Sequence, residues 1–222
     1  MPRESGISST RMSDTARRPE VLVIDYGVGN HTSVCNALER LKYSYAVSSD
    51  TKDIKDAPAY ILPGVGAFKE AMQNLRGRNI IEVLREEVIG KKKPLLGICL
   101  GMQVLAEDST EDGLHTGLGF IPGHVVLIPH ENVRVPHVGW NTLTIQKSDP
   151  LFVAVSTDAR FYFDHSYHFA TDEKYRAATT QYGGEITAAV QHGAVYGVQF
   201  HPEKSQTSGL RLLRSFMKNT KK

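Results

Sequence analysis

The residues of this chain whose types and spacing can do chemistry are a cysteine set between two glycines and a distant His-x-Glu. In Pro94-Leu95-Leu96-Gly97-Ile98-Cys99-Leu100-Gly101-Met102-Gln103 an apolar run leads straight into Cys99, with glycine two residues away on either side. The pattern predicts a strand that turns sharply into a helix from Leu100 to about Glu107, lifting the cysteine side chain clear of a sheet. The helix behind it would aim free N–H groups and a positive dipole end at the sulfur, which favours a nucleophilic thiolate. The same stretch also suits a buried structural cysteine, the commoner fate of a free thiol. Downstream, Val195-Tyr196-Gly197-Val198-Gln199-Phe200 reads as a strand delivering His201-Pro202-Glu203. In extended chain, residues two apart share a face at roughly 6.8 Å, so Glu203 can reach the imidazole of His201. A carboxylate on one ring nitrogen fixes the tautomer and leaves the other to take a thiol proton. Cys99, His201 and Glu203 are together a nucleophile, a base and an orienting group.

Other residues can serve the same cleft. Pro63-Gly64-Val65-Gly66 lies between an expected strand and an expected helix, where its amides can face the nucleophile; it also suits a turn with no role. Acyl transfer needs two N–H donors at the developing oxyanion, each contributing about 3 kcal/mol. The amide of Leu100, next to the nucleophile, is the natural first donor. Gln103 falls one helical turn beyond Cys99 on the same face. Gly27-Val28-Gly29-Asn30 invites a dinucleotide reading, but Thr32 stands at the third fingerprint position and the partial motif is weak. His165 and His168 resemble a metal pair only superficially, because a spacing of three on a strand places them on opposite faces. No metal site and no cofactor is expected.

The elements that must position these groups follow from the apolar pattern. Val21 to Asp25 is an unbroken apolar strand, as in a parallel sheet covered on both faces. Val34, Leu38 and Leu41 recur at helical spacing. Tyr45 to Val47 and Tyr60 to Leu62 are short strands, Phe68, Met72 and Leu75 mark a helix, and Ile80 to Ile89 another. This alternation predicts an α/β fold with an open, doubly wound, mostly parallel sheet of flavodoxin-like type. From about Gly113 the texture changes to strands without helices: Val125 to Ile128, Thr142 to Ile145 and Phe161 to Phe163. A hairpin is expected to follow, with its turn at His192-Gly193, and a final helix marked by Leu210, Leu213, Phe216 and Met217. Antiparallel strands are therefore expected in or beside the sheet in the C-terminal half.

At this point Gly97 to Gln103 with His201-Pro202-Glu203 resembles the triad-type, class I glutamine amidotransferases. Asp25 to Asn30, Leu62 to Phe68, Pro136-His137-Val138-Gly139-Trp140-Asn141 and His165-Ser166-Tyr167 narrow the resemblance to the glutaminase subunits of imidazole glycerol phosphate synthase. It runs from about Val21 to Met217. It implies hydrolysis of L-glutamine to glutamate and ammonia through a thioester on Cys99. His201 first takes the thiol proton and then protonates the leaving ammonia, while Glu203 orients His201. The resemblance makes Val65 the second oxyanion donor and places Gly64, Gln103, Ser166 and Tyr167 around the glutamine, the last two through main-chain groups. It also turns Asn30, Trp140 and Lys204 toward a partner, the (β/α)₈ cyclase subunit. That partner uses the ammonia in histidine biosynthesis, forming imidazole glycerol phosphate and an aminoimidazole carboxamide ribotide. His168 departs from the tyrosine often found there in the family, without touching the triad.

Composition bounds the rest. A chain of 222 residues, 41% hydrophobic and 23% charged, can bury one good core, and its net charge of +2 offers no basic face for nucleic acid. Lys91-Lys92-Lys93 reads as a solvated loop run. Two cysteines are too few for a disulfide framework, which fits a reducing cytoplasm, and no apolar run reaches the ~20 residues of a membrane span. Residues 1–20 are polar and aperiodic, with three acidic residues arguing against a transit peptide; they read as a disordered extension before one domain over 21–222. The length leaves no room for a second catalytic barrel of ~250 residues, so a separate chain is expected to use the ammonia. A glutaminase serving another synthase is the first alternative; co-purification would separate it, and Pro136 to Asn141 argues against it. A γ-glutamyl hydrolase, or a relative that only binds, is the second. The hydrolase would be active alone on extended substrates, and the binder would normally lack a triad member.

Overall fold

The run Val21-Leu22-Val23-Ile24 forms a strand, β1 (Val21–Ile24), buried on both faces. In the computed structural model of the protein, residues 18–148 and 150–220 are described. The extension expected over 1–20 lies outside the described residues as far as residue 17. At its end the Glu20 amide donates to Ser44 O (2.9 Å), and the Ser44 amide donates to Glu20 Oε2 (3.0 Å).

Helices and strands then alternate: α1 (His31–Arg40), β2 (Tyr45–Ser48), α2 (Thr51–Asp56), β3 (Tyr60–Gly64), α3 (Phe68–Gly77), α4 (Ile80–Arg85), β4 (Leu95–Cys99) and α5 (Leu100–Gln103). The second half is mostly strand: β5 (Asp108–Ser109), β6 (His115–Thr116), β7 (His124–Leu127), β8 (His137–Thr142), β9 (Thr144–Ile145), β10 (Arg160–His165), β11 (Tyr167–Ala170), β12 (Arg176–Gln181), β13 (Glu185–His192) and β14 (Val195–Val198). The helix α6 (Gln206–Asn219) closes the described chain. The described residues build an eight-stranded sheet in the order β2-β1-β3-β4-β14-β13-β12-β9. Its first five strands run parallel, and β13, β12 and β9 continue it antiparallel. Beside it stand a β10-β8 ribbon and a four-stranded sheet, β11-β7-β5-β6. This is the expected doubly wound α/β architecture with antiparallel additions.

Two cores flank the sheet, and the strand period of two sorts residues between them. Val21 and Val23 face one with α1 and α6; Leu22 and Ile24 face the other with α3, α4 and α5. Each large side chain fully buried in this way contributes about 1.5–3 kcal/mol.

Several local expectations are corrected. The elbow helix ends at Gln103 rather than near Glu107, because the next amides turn tightly (Leu105 to Met102 O, Ala106 to Gln103 O) and Glu107 N leaves to Gly123 O. The β13–β14 turn is Gly193-Ala194, with His192 still paired to Val195. β14 stops at Val198, so His201-Pro202-Glu203 does not lie on a strand; Pro202–Lys204 is a 3₁₀ turn. His165 and His168 belong to different strands, separated by a break at Ser166. The lysine run is more than a solvated loop: Lys91 and Lys93 each lie 2.6 Å from the carboxylate of Glu87, which is completely buried. Burial disfavours that charge, but the hydrogen bonds from both lysines outweigh it and lower its pKa.

Candidate active site

The carboxyl ends of β3, β4 and β14 meet at one crevice, the usual ligand position in an open parallel sheet. Gly64 and Cys99 are register partners there. Cys99 adopts φ +54° and ψ −112°, off the ordinary regions for a side-chain-bearing residue, as the chain swings from β4 directly into α5. The flanking glycines are required by close approach. A Cβ on Gly101 would sit 1.8 Å from Leu62 O, and one on Gly97 would sit 2.5 Å from Gly101 O. Cys99 is 6% exposed, its Sγ 3.9 Å from Asp164 O and 3.7 Å from Gln199 Nε2, which donates to it.

His201 is fixed by main-chain and hydroxyl contacts to β10. Its amide donates to Tyr162 O (2.8 Å); Ser205 Oγ donates to His201 O (2.6 Å) and accepts from the Tyr162 amide (3.0 Å). The 3₁₀ turn then folds Glu203 back, so that its Oε1 lies 2.7 Å from His201 Nδ1, both side chains 3% exposed. The contact expected across a strand face is thus made around a turn. Burial opposes an imidazolium here, but hydrogen bonding and charge from Cys99 and Glu203 prevail and raise the ring's pKa to about 10.

A cavity of about 300 Å³ opens on these groups, lined by Val65, Cys99, Leu100, Gln103, Ser166, Tyr167 and His201 among others. Val65 is 41% exposed, and Gly66 beyond it holds φ +104°. Gly64 is packed against the elbow; a Cβ there would meet the Tyr26 hydroxyl at 2.4 Å and Gly101 N at 2.9 Å. Gln103 donates through Nε2 to Tyr167 O (3.0 Å) and Gln199 Oε1 (3.1 Å). The carbonyls of Ser166 and Tyr167 already have partners: Ile128 N on the first, Gln103 and His165 on the second.

Three residues missed by sequence reasoning join them. Glu111 and Asp164 line the cavity, and Gln199, completely buried, bridges Gln103 and Cys99. Glu111 Oε2 accepts from the Phe68 amide (2.7 Å). Gln199 had a usable signal in its place two residues before His201; Glu111 sits in a polar loop with none. Of the residues assigned toward a partner, Asn30 caps α1, accepting from the Ser33 amide at 3.3 Å. Trp140 is 44% exposed on β8, and Lys204 Nζ lies 5.6 Å from the centre of the Tyr162 ring. Among the described residues there is no group of three or more His, Cys, Asp or Glu side chains placed to hold a metal.

Comparison with known proteins places this geometry. Residues 22–220 match the family described as Glutamine amidotransferase class-I. Imidazole glycerol phosphate synthase subunit HisH 2 of Vibrio vulnificus is 48% identical over 200 residues, 89% of this chain and 94% of that protein. Imidazole glycerol phosphate synthase subunit HisH 1 of Campylobacter jejuni subsp. jejuni is 44% identical over 197 residues, 88% of this chain and 98% of that protein. A solved crystal structure of a glutamine amidotransferase superposes with a TM-score of 0.72, at 21% identity over 90% of this chain and 99% of that one, a likeness of fold. With the match spanning nearly all of the described chain, and with the elbow cysteine and His201 lining one cavity, the chain belongs to the class-I glutamine amidotransferase family.

Proposed function

We propose that this chain is the glutaminase subunit of an imidazole glycerol phosphate synthase, releasing ammonia from L-glutamine for a cyclase subunit in histidine biosynthesis. The observation that carries the reading is Cys99 in its positive-φ elbow, facing the same cavity as the His201–Glu203 pair. His201 takes the thiol proton, and Cys99 Sγ attacks the side-chain amide carbon of glutamine. The carbonyl π electrons move to oxygen, where the amides of Leu100 and Val65 are the donors for the negative charge. Collapse of the tetrahedral species breaks the C–N bond as His201 delivers its proton to the departing nitrogen, giving ammonia and a thioester. Water, giving a proton to His201, then attacks the thioester; a second collapse breaks the C–S bond and releases glutamate, its carboxyl proton passing to solvent and the other proton staying on His201 beside Sγ. Glu203 holds the ring and stabilises the imidazolium through Nδ1.

Glutamine carries an α-ammonium group, and the carboxylate of Glu111 on the cavity wall is its charge complement, one oxygen remaining after the bond to Phe68. Gly64, Gln103, Ser166 and Tyr167 form the rest of the glutamine wall. Asn30, Trp140 and Lys204 face the cyclase. Residues 21–222 act as one catalytic domain, preceded by an N-terminal extension. A biosynthetic enzyme of this kind works in the cytoplasm; among the described residues no helix is long and apolar enough to cross a membrane. The test is a glutamate-release assay with and without a cyclase partner and its nucleotide substrate. Glutamate release stimulated by that pair supports the assignment; an inert chain in all conditions overturns it.

A further inference from the structure

A buried polar chain runs from β8 to the wall of the cavity and takes no part in the chemistry above. Asn141 Nδ2 makes a long contact to His137 Nε2 (3.5 Å), His137 Nδ1 lies 3.1 Å from His165 Nε2, and His165 Nδ1 lies 2.8 Å from Tyr167 O. The direction of every bond follows from one end. A carbonyl only accepts, so His165 Nδ1 must carry a hydrogen. In a neutral ring His165 Nε2 then accepts, His137 Nδ1 donates, and His137 Nε2 accepts from the Asn141 amide. Both rings are almost fully buried, at 3% and 5% exposure, and burial lowers their pKa values to about 4 for His137 and about 3 for His165, keeping them neutral. His137 is also stacked between Phe163 (4.6 Å) and Tyr182 (3.9 Å). At the far end, Tyr167 O and Gln199 Oε1 take the Nε2 donors of Gln103, leaving Oε1 as the atom of that amide available to a ligand.

We propose that Asn141, His137 and His165 form a positioning relay that fixes the tautomer of His165, so that Tyr167 O holds the Gln103 amide with Oε1 presented to glutamine. The relay rests on the glutaminase reading of the cavity. Without the hydrogen from His137, His165 is free to place its own hydrogen on Nε2. Its Nδ1 lone pair would then face the Tyr167 carbonyl at hydrogen-bond distance, and the two would repel. Tyr167 O and the Gln103 amide would lose their setting, and bound glutamine would lose a contact made before any bond breaks. The effect therefore belongs in KM rather than kcat.

Two substitutions at His137 separate this role from packing. His137→Phe keeps the ring between Phe163 and Tyr182 but removes the donor; His137→Asn discards the ring but keeps an N–H near the position of Nδ1. The full chain is assayed for glutamate release with the cyclase subunit present, and folded protein is counted by its thermal transition. Wild-type activity tests the glutaminase reading; the variants test the relay. The relay predicts a glutamine KM raised about fivefold in His137→Phe, the scale of one lost hydrogen bond, with kcat per folded molecule within about twofold. His137→Asn should return KM to the wild-type value even where its melting temperature falls. Packing alone predicts the reverse ranking. An unchanged KM in His137→Phe, or a raised KM in His137→Asn, overturns the proposal. Should His137→Phe fail to fold, the KM of His137→Asn decides alone.

Discussion

At Cys99 the backbone holds φ +54° on a residue with a side chain, a strain on the order of 1–3 kcal/mol that the packed elbow sustains. The strained backbone turns Sγ toward the cavity that His201 also lines, as the proposed nucleophile requires. The raised pKa of His201 keeps its ring protonated across the neutral range, as the proposed delivery of a proton to the leaving nitrogen requires. NMR of its imidazole should show imidazolium through pH 8, and titration near the ordinary histidine value would contradict the ion-pair account. Glu203→Gln should lower that titration and cost less activity than His201→Ala. The amide keeps an orienting hydrogen bond, while losing His201 removes acid and base together, an effect of about 10²–10⁴-fold. Equal, negligible losses in glutamate release from both would place the pair outside the chemistry. Cys35→Ala should leave turnover per folded molecule unchanged, because Cys35 lies on α1 without an elbow or oxyanion donors.

The elbow helix α5 can pack on β3 only because Gly101 has no side chain. Gly101→Ala would drive a methyl group to 1.8 Å from Leu62 O, a backbone atom that cannot move aside cheaply. Destabilisation of about 1–3 kcal/mol or more is expected, read as a lowered urea midpoint together with lost glutamate release. A midpoint equal to wild type would show that the elbow tolerates what its geometry forbids. The parallel half was legible in the sequence because fully buried strands such as Val21–Ile24 are unbroken apolar runs between helical periods. The elbow around Cys99 and the His201–Glu203 pair were each legible because each is set by local spacing. The length of α5, the 3₁₀ turn at Pro202–Lys204 and the division of the later strands among three sheets were not, because long-range pairing decides them. Glu107 N finding Gly123 O ends the elbow turn, and Tyr162 O anchoring His201 replaces a strand by a turn. The polar groups behind the site were hidden for the same reason: Gln103 and Gln199 are 96 residues apart and His137 and His165 are 28 apart.

Across the whole molecule, protonation couples the site to stability. His137, His165 and His168 have pKa values lowered by burial to about 4, 3 and 4, against 6.5 for a free ring. The unfolded chain therefore takes up these protons first as pH falls, and stability drops below about 6.5 until the folded rings protonate. His201 acts oppositely: its raised pKa contributes stability that is complete below about 6.5 and lost as pH rises through about 10. With three rings against one, the urea midpoint should fall between pH 7 and pH 5; a rise would contradict the neutral burial of these histidines. Ammonia released without an acceptor would waste glutamine, so the chain alone should be weakly active. Gly66, with open space around it at φ +104°, can turn the Val65-Gly66 peptide at little cost, and in the proposed reaction this would let the second oxyanion donor be withheld until the cyclase docks. Stimulation by the cyclase and its substrate should then appear mainly in kcat, since an oxyanion donor acts on the transition state. Stimulation seen only as a lower KM would contradict that arrangement. The most direct test of the account as a whole compares glutamine and ammonia as nitrogen sources for the assembled complex carrying Cys99→Ala. The account predicts that glutamine-driven synthesis is abolished while ammonia-driven synthesis continues at the wild-type rate; glutamine-driven synthesis that survives the substitution would show that Cys99 is not the nucleophile.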